Sequence, residues 1–97
     1  MIWIRKPQEQ EGTYYFSGKI YITQAVFDNF TPNDITAIYL DIQLFVKENN
    51  GVDYLQIYFN DQGDKLYLID QLNKEMVDNG QYQEEDNYCT LMFSYEY

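Results

Sequence analysis

The 97-residue chain has no histidine, one cysteine, two prolines and only six basic side chains. Each shortage closes a class of chemistry. Without histidine, the usual general base, the Ser-His and Cys-His nucleophile pairs and the commonest metal ligand are all missing. Cys89, being alone, forms no internal disulfide and no thiolate metal cage. It sits among apolar neighbours in a predicted strand, where an inert buried thiol is expected, and a lone cysteine fits a reducing interior better than a secreted scaffold. Six basic residues scattered among sixteen acids cannot form a phosphate track, so no direct contact with nucleic acid is expected. No run approaches the ~20 apolar residues needed to cross a bilayer. A net charge of −10 is also repelled by anionic headgroups, so no membrane partner is expected. The opening residues reach Arg5 and Lys6 without the apolar stretch of a signal peptide, and a cytoplasmic protein of a host bacterial cell is the expectation.

What is present is acid and tyrosine. Residues 1–47 carry four basic and five acidic side chains, a balance of −1, whereas residues 48–97 carry Lys65 and Lys74 against eleven carboxylates, a balance of −9. Eleven tyrosines, six phenylalanines and one tryptophan give a chain of this length a workable core, because each ring buries about 150–250 Å² and tyrosine keeps a polar tip for the rim. The acidic half is therefore read as a folded anionic surface and not as a disordered tail.

The strongest local signal is a helix from Pro32 to about Asn49. Thr31 supplies an N-cap hydroxyl, Pro32 suits the first helical position, and Asp34 can close a capping box. Ile35, Ile38, Ile42, Phe45 and Val46 then recur at helical spacing, and Asn49-Asn50-Gly51 ends the run. Lys19–Thr23 alternates as a strand, with Tyr14–Phe16 as a possible neighbour across Ser17-Gly18. Val52–Phe59 is predicted as a strand sending Leu55, Ile57 and Phe59 onto the helix and Tyr54, Gln56 and Tyr58 to the other side of the sheet, where Tyr67 of the returning strand joins them. A loop at 60–64 leads to a returning strand over Lys65–Ile69. Residues 70–78 read equally as a short helix or as continued strand. Tyr88–Tyr97 closes the chain as a strand with Cys89, Leu91, Phe93 and Tyr95 on one face. The expected architecture is one α+β domain over residues 1–97: a mostly antiparallel sheet of four or five strands with one principal helix on a face.

Ile42-Gln43-Leu44-Phe45, Asp53-Tyr54-Leu55-Gln56-Ile57, Cys89-Thr90-Leu91-Met92 and Tyr95-Glu96-Tyr97 resemble segments of a family of small uncharacterised proteins from prophages and mobile elements of Gram-positive bacteria. The resemblance spans the last two-thirds of the chain, departing from Asn60 to Asp86. It implies a genomic setting and a fold, and it transfers no catalytic residue.

Carboxylate pairs do not rescue catalysis. Asp61 and Asp64 flank a glycine turn but lack the spaced oxygen ligands and closing glutamate of a calcium loop. No enzyme activity, metal or cofactor is expected. The acidity has two readings. As an ordinary solubility device it forms a wet face; yet −10 exceeds the magnitude of about 2–8 that solubility calls for, and it is concentrated in one half. The functional reading is an acidic nucleic-acid mimic, an anti-CRISPR-like inhibitor blocking the basic channel of a host defence nuclease. Asp53, Asp61, Asp64, Asp70, Glu75, Asp78, Glu84, Glu85 and Asp86 would supply charge, and Tyr54, Tyr58 and Tyr67 would supply contact area. Those tyrosines also have a second reading, favoured over the first, in which they cover the second face of the sheet against the N-terminal segment holding Trp3. The alternative function is a non-catalytic accessory module of a mobile element whose last strand offers an unpaired edge, joining two chains as a homodimer.

Overall fold

The computed structural model describes residues 2–71, 76, 78–80, 83 and 86–97. Five strands, β1 (Trp3–Arg5), β2 (Lys19–Ile22), β3 (Leu55–Asn60), β4 (Lys65–Asp70) and β5 (Tyr88–Phe93), form one sheet in the order β1-β3-β4-β5-β2. Three of its pairings are antiparallel and β2–β5 is parallel. Two helices, α1 (Gln24–Asn29) and α2 (Pro32–Asn49), connect β2 to β3. The domain is α+β, with α2 as its principal helix, as the sequence implies.

Helix α2 begins and ends where its residue chemistry dictates. The Thr31 hydroxyl accepts the Asp34 backbone N–H at 3.3 Å, and Asp34 Oδ2 accepts the Thr31 N–H at 3.0 Å. That reciprocal pair satisfies two donors that the first turn leaves open, and the Thr31 N–H holds the Asp34 carboxyl below its ordinary value. At the other end Asn50 takes φ 52°, in the left-handed region, and its N–H bonds the Val46 carbonyl. Ile38 and Ile42 are buried, with Ile35, Phe45 and Val46 half-buried beside them.

The sheet departs from expectation in its parity. The residues of β3 that face α2 are Gln56 and Tyr58, both 1 % exposed, and not Leu55, Ile57 and Phe59. The cause is a pair of polar anchors. Tyr58 OH donates to Asp41 Oδ2 at 2.7 Å, and Arg5 Nε donates to the same oxygen at 2.9 Å while its guanidinium lies 3.5 Å from the Phe45 ring centre. A tyrosine whose hydroxyl reaches a helix carboxylate can be buried without an unsatisfied group. Leu66 and Leu68 of β4, and Leu91 and Phe93 of β5, complete the covered face.

Other boundaries shift. The stretch from Val52 joins the fold by a single bridge to Tyr14 before β3 starts at Leu55, so Tyr14–Phe16 is not a strand. The last strand stops at Phe93 and a 3-10 turn over Ser94–Glu96 follows, leaving Tyr95 exposed. That strand is internal, flanked by β4 and β2, so it offers no free edge; the edges are β1 and β2. Of residues 70–78, Asp70 closes β4; Gln71, Met76 and Asp78 are described, and the remainder of that helix-or-strand question lies outside the described residues.

Candidate partner-binding surface

In every strand, alternate side chains leave the covered face. The registers align Ile4 with Phe59, Ile57 with Tyr67, Tyr67 with Met92, and Tyr21 with Thr90 on the side away from α2. Much of this second face meets solvent. Ile4 is 64 %, Tyr21 49 %, Tyr88 39 % and Phe59 36 % exposed, with Leu55, Ile57, Tyr67 and Met92 half-buried.

Its aromatic side chains are held in fixed pairs. Tyr21 and Tyr88 meet edge to face at 5.2 Å, and Tyr97 crosses back from the last turn to meet Tyr67 edge to face at 5.6 Å. The nearby Tyr97 hydroxyl raises the Tyr54 pKa above its ordinary value. Tyr54 also leans on Tyr14 at 5.9 Å. The Lys65 ammonium sits 5.8 and 5.6 Å from the Phe59 and Tyr67 ring centres, a distance at which a cation is attracted to a ring face. Paired rings lose less freedom on binding than free side chains, so this surface is partly pre-organised.

The expected acidic residues divide between the two ends of the sheet. Asp61 and Asp64 lie in the β3–β4 hairpin, where Asn60 Oδ1 accepts the Gln62 and Asp64 N–H groups and Asn60 Nδ2 donates to Asp64 Oδ2 at 2.9 Å. Asp53 and Asp86 precede β3 and β5, at the opposite end, with Asp86 exposed and Asp53 half-buried. Six-residue strands at ~3.3 Å per residue place those ends about 20 Å apart. Asp78 is exposed in the connection between β4 and β5. Glu75, Glu84 and Glu85 lie outside the described residues.

Two expected surface residues are interior. Tyr58 belongs to the helix-facing side, where burial first and Asp41 second raise its pKa. Asp70 is 3 % exposed, and its carboxylate accepts the Phe16 N–H at 2.8 Å, Asn87 Nδ2 at 2.9 Å and the Gln71 N–H at 3.0 Å. It joins three segments of the fold and cannot meet a partner. Burial raises its pKa despite those three bonds. The neighbouring Cys89 thiol is pushed up to about 12 by burial and by Asp70, so it remains a neutral thiol at physiological pH. Among the described residues, no three acidic or cysteine side chains converge in the manner of a metal site, and no helix is long and apolar enough to cross a membrane.

Sequence reasoning missed Tyr21, Phe59, Tyr88 and Tyr97 as surface residues. The signal that could have found the right parity was Tyr58 itself, since a central-strand tyrosine with carboxylates on the facing helix has a reason to turn inward. No family model, curated protein or solved structure matches this chain.

Proposed function

We propose that this protein is a non-catalytic binding protein that docks on a basic, nucleic-acid-binding surface of a partner and blocks it. An inhibitor carried by a phage or mobile element against a host defence nuclease, in the anti-CRISPR manner, is the form this takes. The observation that carries the proposal is the second sheet face, aromatic at its centre and flanked by carboxylates at both strand ends. Centres rich in tyrosine with charged rims are the arrangement of protein–protein contacts, and a net charge of −10 selects basic partners and steers their approach. The separation of Asp61 and Asp64 from Asp53 and Asp86 makes the contact a bracket around an aromatic patch, not a continuous copy of a phosphate backbone.

The test is capture of the partner from a host lysate followed by competition with nucleic acid. Reversing Asp53, Asp61, Asp64 and Asp86 to lysine weakens capture while leaving the circular-dichroism spectrum in place. Association slows as the Debye length falls from about 10 Å at 0.1 M salt to about 3 Å at 1 M. Simultaneous, independent binding of nucleic acid and this protein to the captured partner would sink the proposal. A second reading, an accessory module that self-associates through its sheet, draws on the edge strands β1 and β2 and on the same apolar face. Sedimentation at micromolar concentration separates the two: a monomer removes the second reading, and a dimer that loses its capture ability favours it.

A further inference from the structure

Strand β1 pairs with β3 only briefly. Their last bond runs from the Lys6 N–H to the Ile57 carbonyl at 2.8 Å, after which residues 7–10 leave the strand and no backbone bond joins them to Leu55. Backbone groups alternate in direction along an antiparallel strand, so Leu55, two residues before Ile57, presents its N–H and carbonyl to the same vacated edge. Between residues 6–10 and 53–57 lies a recess of about 170 Å³. At ~30 Å³ per water that is room for about five or six waters, below the ~300–1,000 Å³ of small-molecule sites. The size suits the head of one side chain.

Its chemistry is that of an acceptor. Gln8 Oε1 takes the Asp53 N–H at 3.0 Å and Gln56 Nε2 at 3.0 Å, and Gln56 Nε2 also donates to the Asp53 carbonyl at 3.0 Å. Those bonds hold the wall in place. Among the described residues Gln56 Oε1, although buried, has no hydrogen-bond partner, a deficit that ordinarily costs about 1–3 kcal/mol. Among the described residues Asp53 Oδ1 accepts only the Tyr54 N–H at 2.9 Å, and Glu9 has Lys6 Nζ no nearer than 4.0 Å. Two carboxylates against one ammonium leave the lining at −1. Tyr54 stands exposed at the rim.

We infer that this recess receives the guanidinium of an arginine supplied by the partner. This rests on the reading of a basic partner and names the group it must present. A planar cation with five donors matches carboxylate, carbonyl and amide acceptors set side by side, whereas a lysine ammonium satisfies fewer of them. The recess adjoins the open face through Leu55 and Ile57, so an arginine entering it anchors a partner already lying on the aromatic surface.

The experiment is an NMR titration of the isotope-labelled protein with N-acetyl-arginine methylamide, using N-acetyl-lysine methylamide as comparator. Saturable shifts of the Asp53, Tyr54 and Leu55 amides and of the Gln8 and Gln56 side-chain amides are expected with the arginine compound. They should be lost in Asp53→Asn, whose remaining spectrum stays folded. Equal shifts with both compounds, or arginine shifts that persist in Asp53→Asn, overturn the inference. A captured basic partner that binds wild type and Asp53→Asn equally also overturns it and leaves the proposed function standing. Recess shifts with arginine, in a protein whose captured partner ignores nucleic acid, would leave this site standing and remove the proposed function.

Discussion

Replacing Asp70 with alanine removes the acceptor on which the loop at Phe16, the end of β4 and the start of β5 converge. Two of its three donors are interior: the Phe16 N–H, on a residue 0 % exposed, and the amide of Asn87, 2 % exposed. Each buried donor left without a partner costs about 1–3 kcal/mol, although Asn87 keeps a longer bond to Ser17 Oγ at 3.2 Å. Phe16 adds a second element. Its φ of 50° lies in the left-handed region, where a non-glycine residue pays about 1–2 kcal/mol, and it is held there by Asp70 on its N–H and by Gln43 Nε2 on its carbonyl at 2.8 Å. Set against these losses is the relief of removing a desolvated carboxylate. The net expectation is a loss of about 2–4 kcal/mol. With a urea m-value of about 1.5 kcal/mol/M for a domain of this size, the midpoint should fall by about 2 M. Urea unfolding followed by Trp3 fluorescence and far-ultraviolet circular dichroism reads it directly. A loss below about 0.5 kcal/mol would mean that the carboxylate is not the clamp.

The same residue carries a pH signature with a definite sign. Because burial raises the folded pKa above the ordinary 3.8, the folded state holds this proton more tightly than the unfolded chain does. The stabilisation is fully present below 3.8 and is lost as pH rises through the raised value. Wild type should therefore gain stability on mild acidification by more than Asp70→Ala gains. Parallel stability curves for the two proteins between neutral pH and pH 4 would refute the assignment of that gain to Asp70.

The principal helix was legible because its signals are local and agree: a hydroxyl, a proline and a carboxylate within four residues at one end, and a residue able to take positive φ at the other. The parity of β3 was not, since Leu55-Gln56-Ile57-Tyr58-Phe59 offers two apolar-looking alternations and the choice is made far along the chain, by Asp41 and Arg5. That single reversal moved Tyr58 inward and Leu55, Ile57 and Phe59 to the open face. Helix α1 escaped because six residues with one buried side chain, Val26, give no periodicity to find. The parallel pairing of β2 with β5 was invisible for a different reason: it joins residues about seventy positions apart. Asp70 misled because a carboxylate's default place is the surface, and only the convergence of Phe16 and Asn87 on it reveals the exception.

Three further outcomes are expected. Ile42→Ala, at a site 0 % exposed under the sheet, should cost about 2–5 kcal/mol in a denaturant titration, and a loss under about 0.5 would contradict its place in the core. Cys89 should resist a thiol-labelling reagent at pH 8 in the folded protein and react once unfolded, because burial pushes its pKa up to about 12; fast native labelling would refute that environment. Tyr58→Phe tests the parity of the sheet itself. The hydroxyl donates at 2.7 Å to a carboxylate oxygen that Arg5 also engages, and a hydrogen bond to a charged group contributes about 1.5–3 kcal/mol. Tyr67→Phe, on the open face, should change stability by less than about 0.5 kcal/mol, as surface substitutions do. If Tyr58 faces α2, the first variant unfolds at distinctly lower urea than the second, and combining it with Arg5→Ala gives less than the sum of the two single losses, because both groups bond one oxygen. Equal midpoints for Tyr58→Phe and Tyr67→Phe would place Tyr58 outside the core and return Leu55, Ile57 and Phe59 to the helix side.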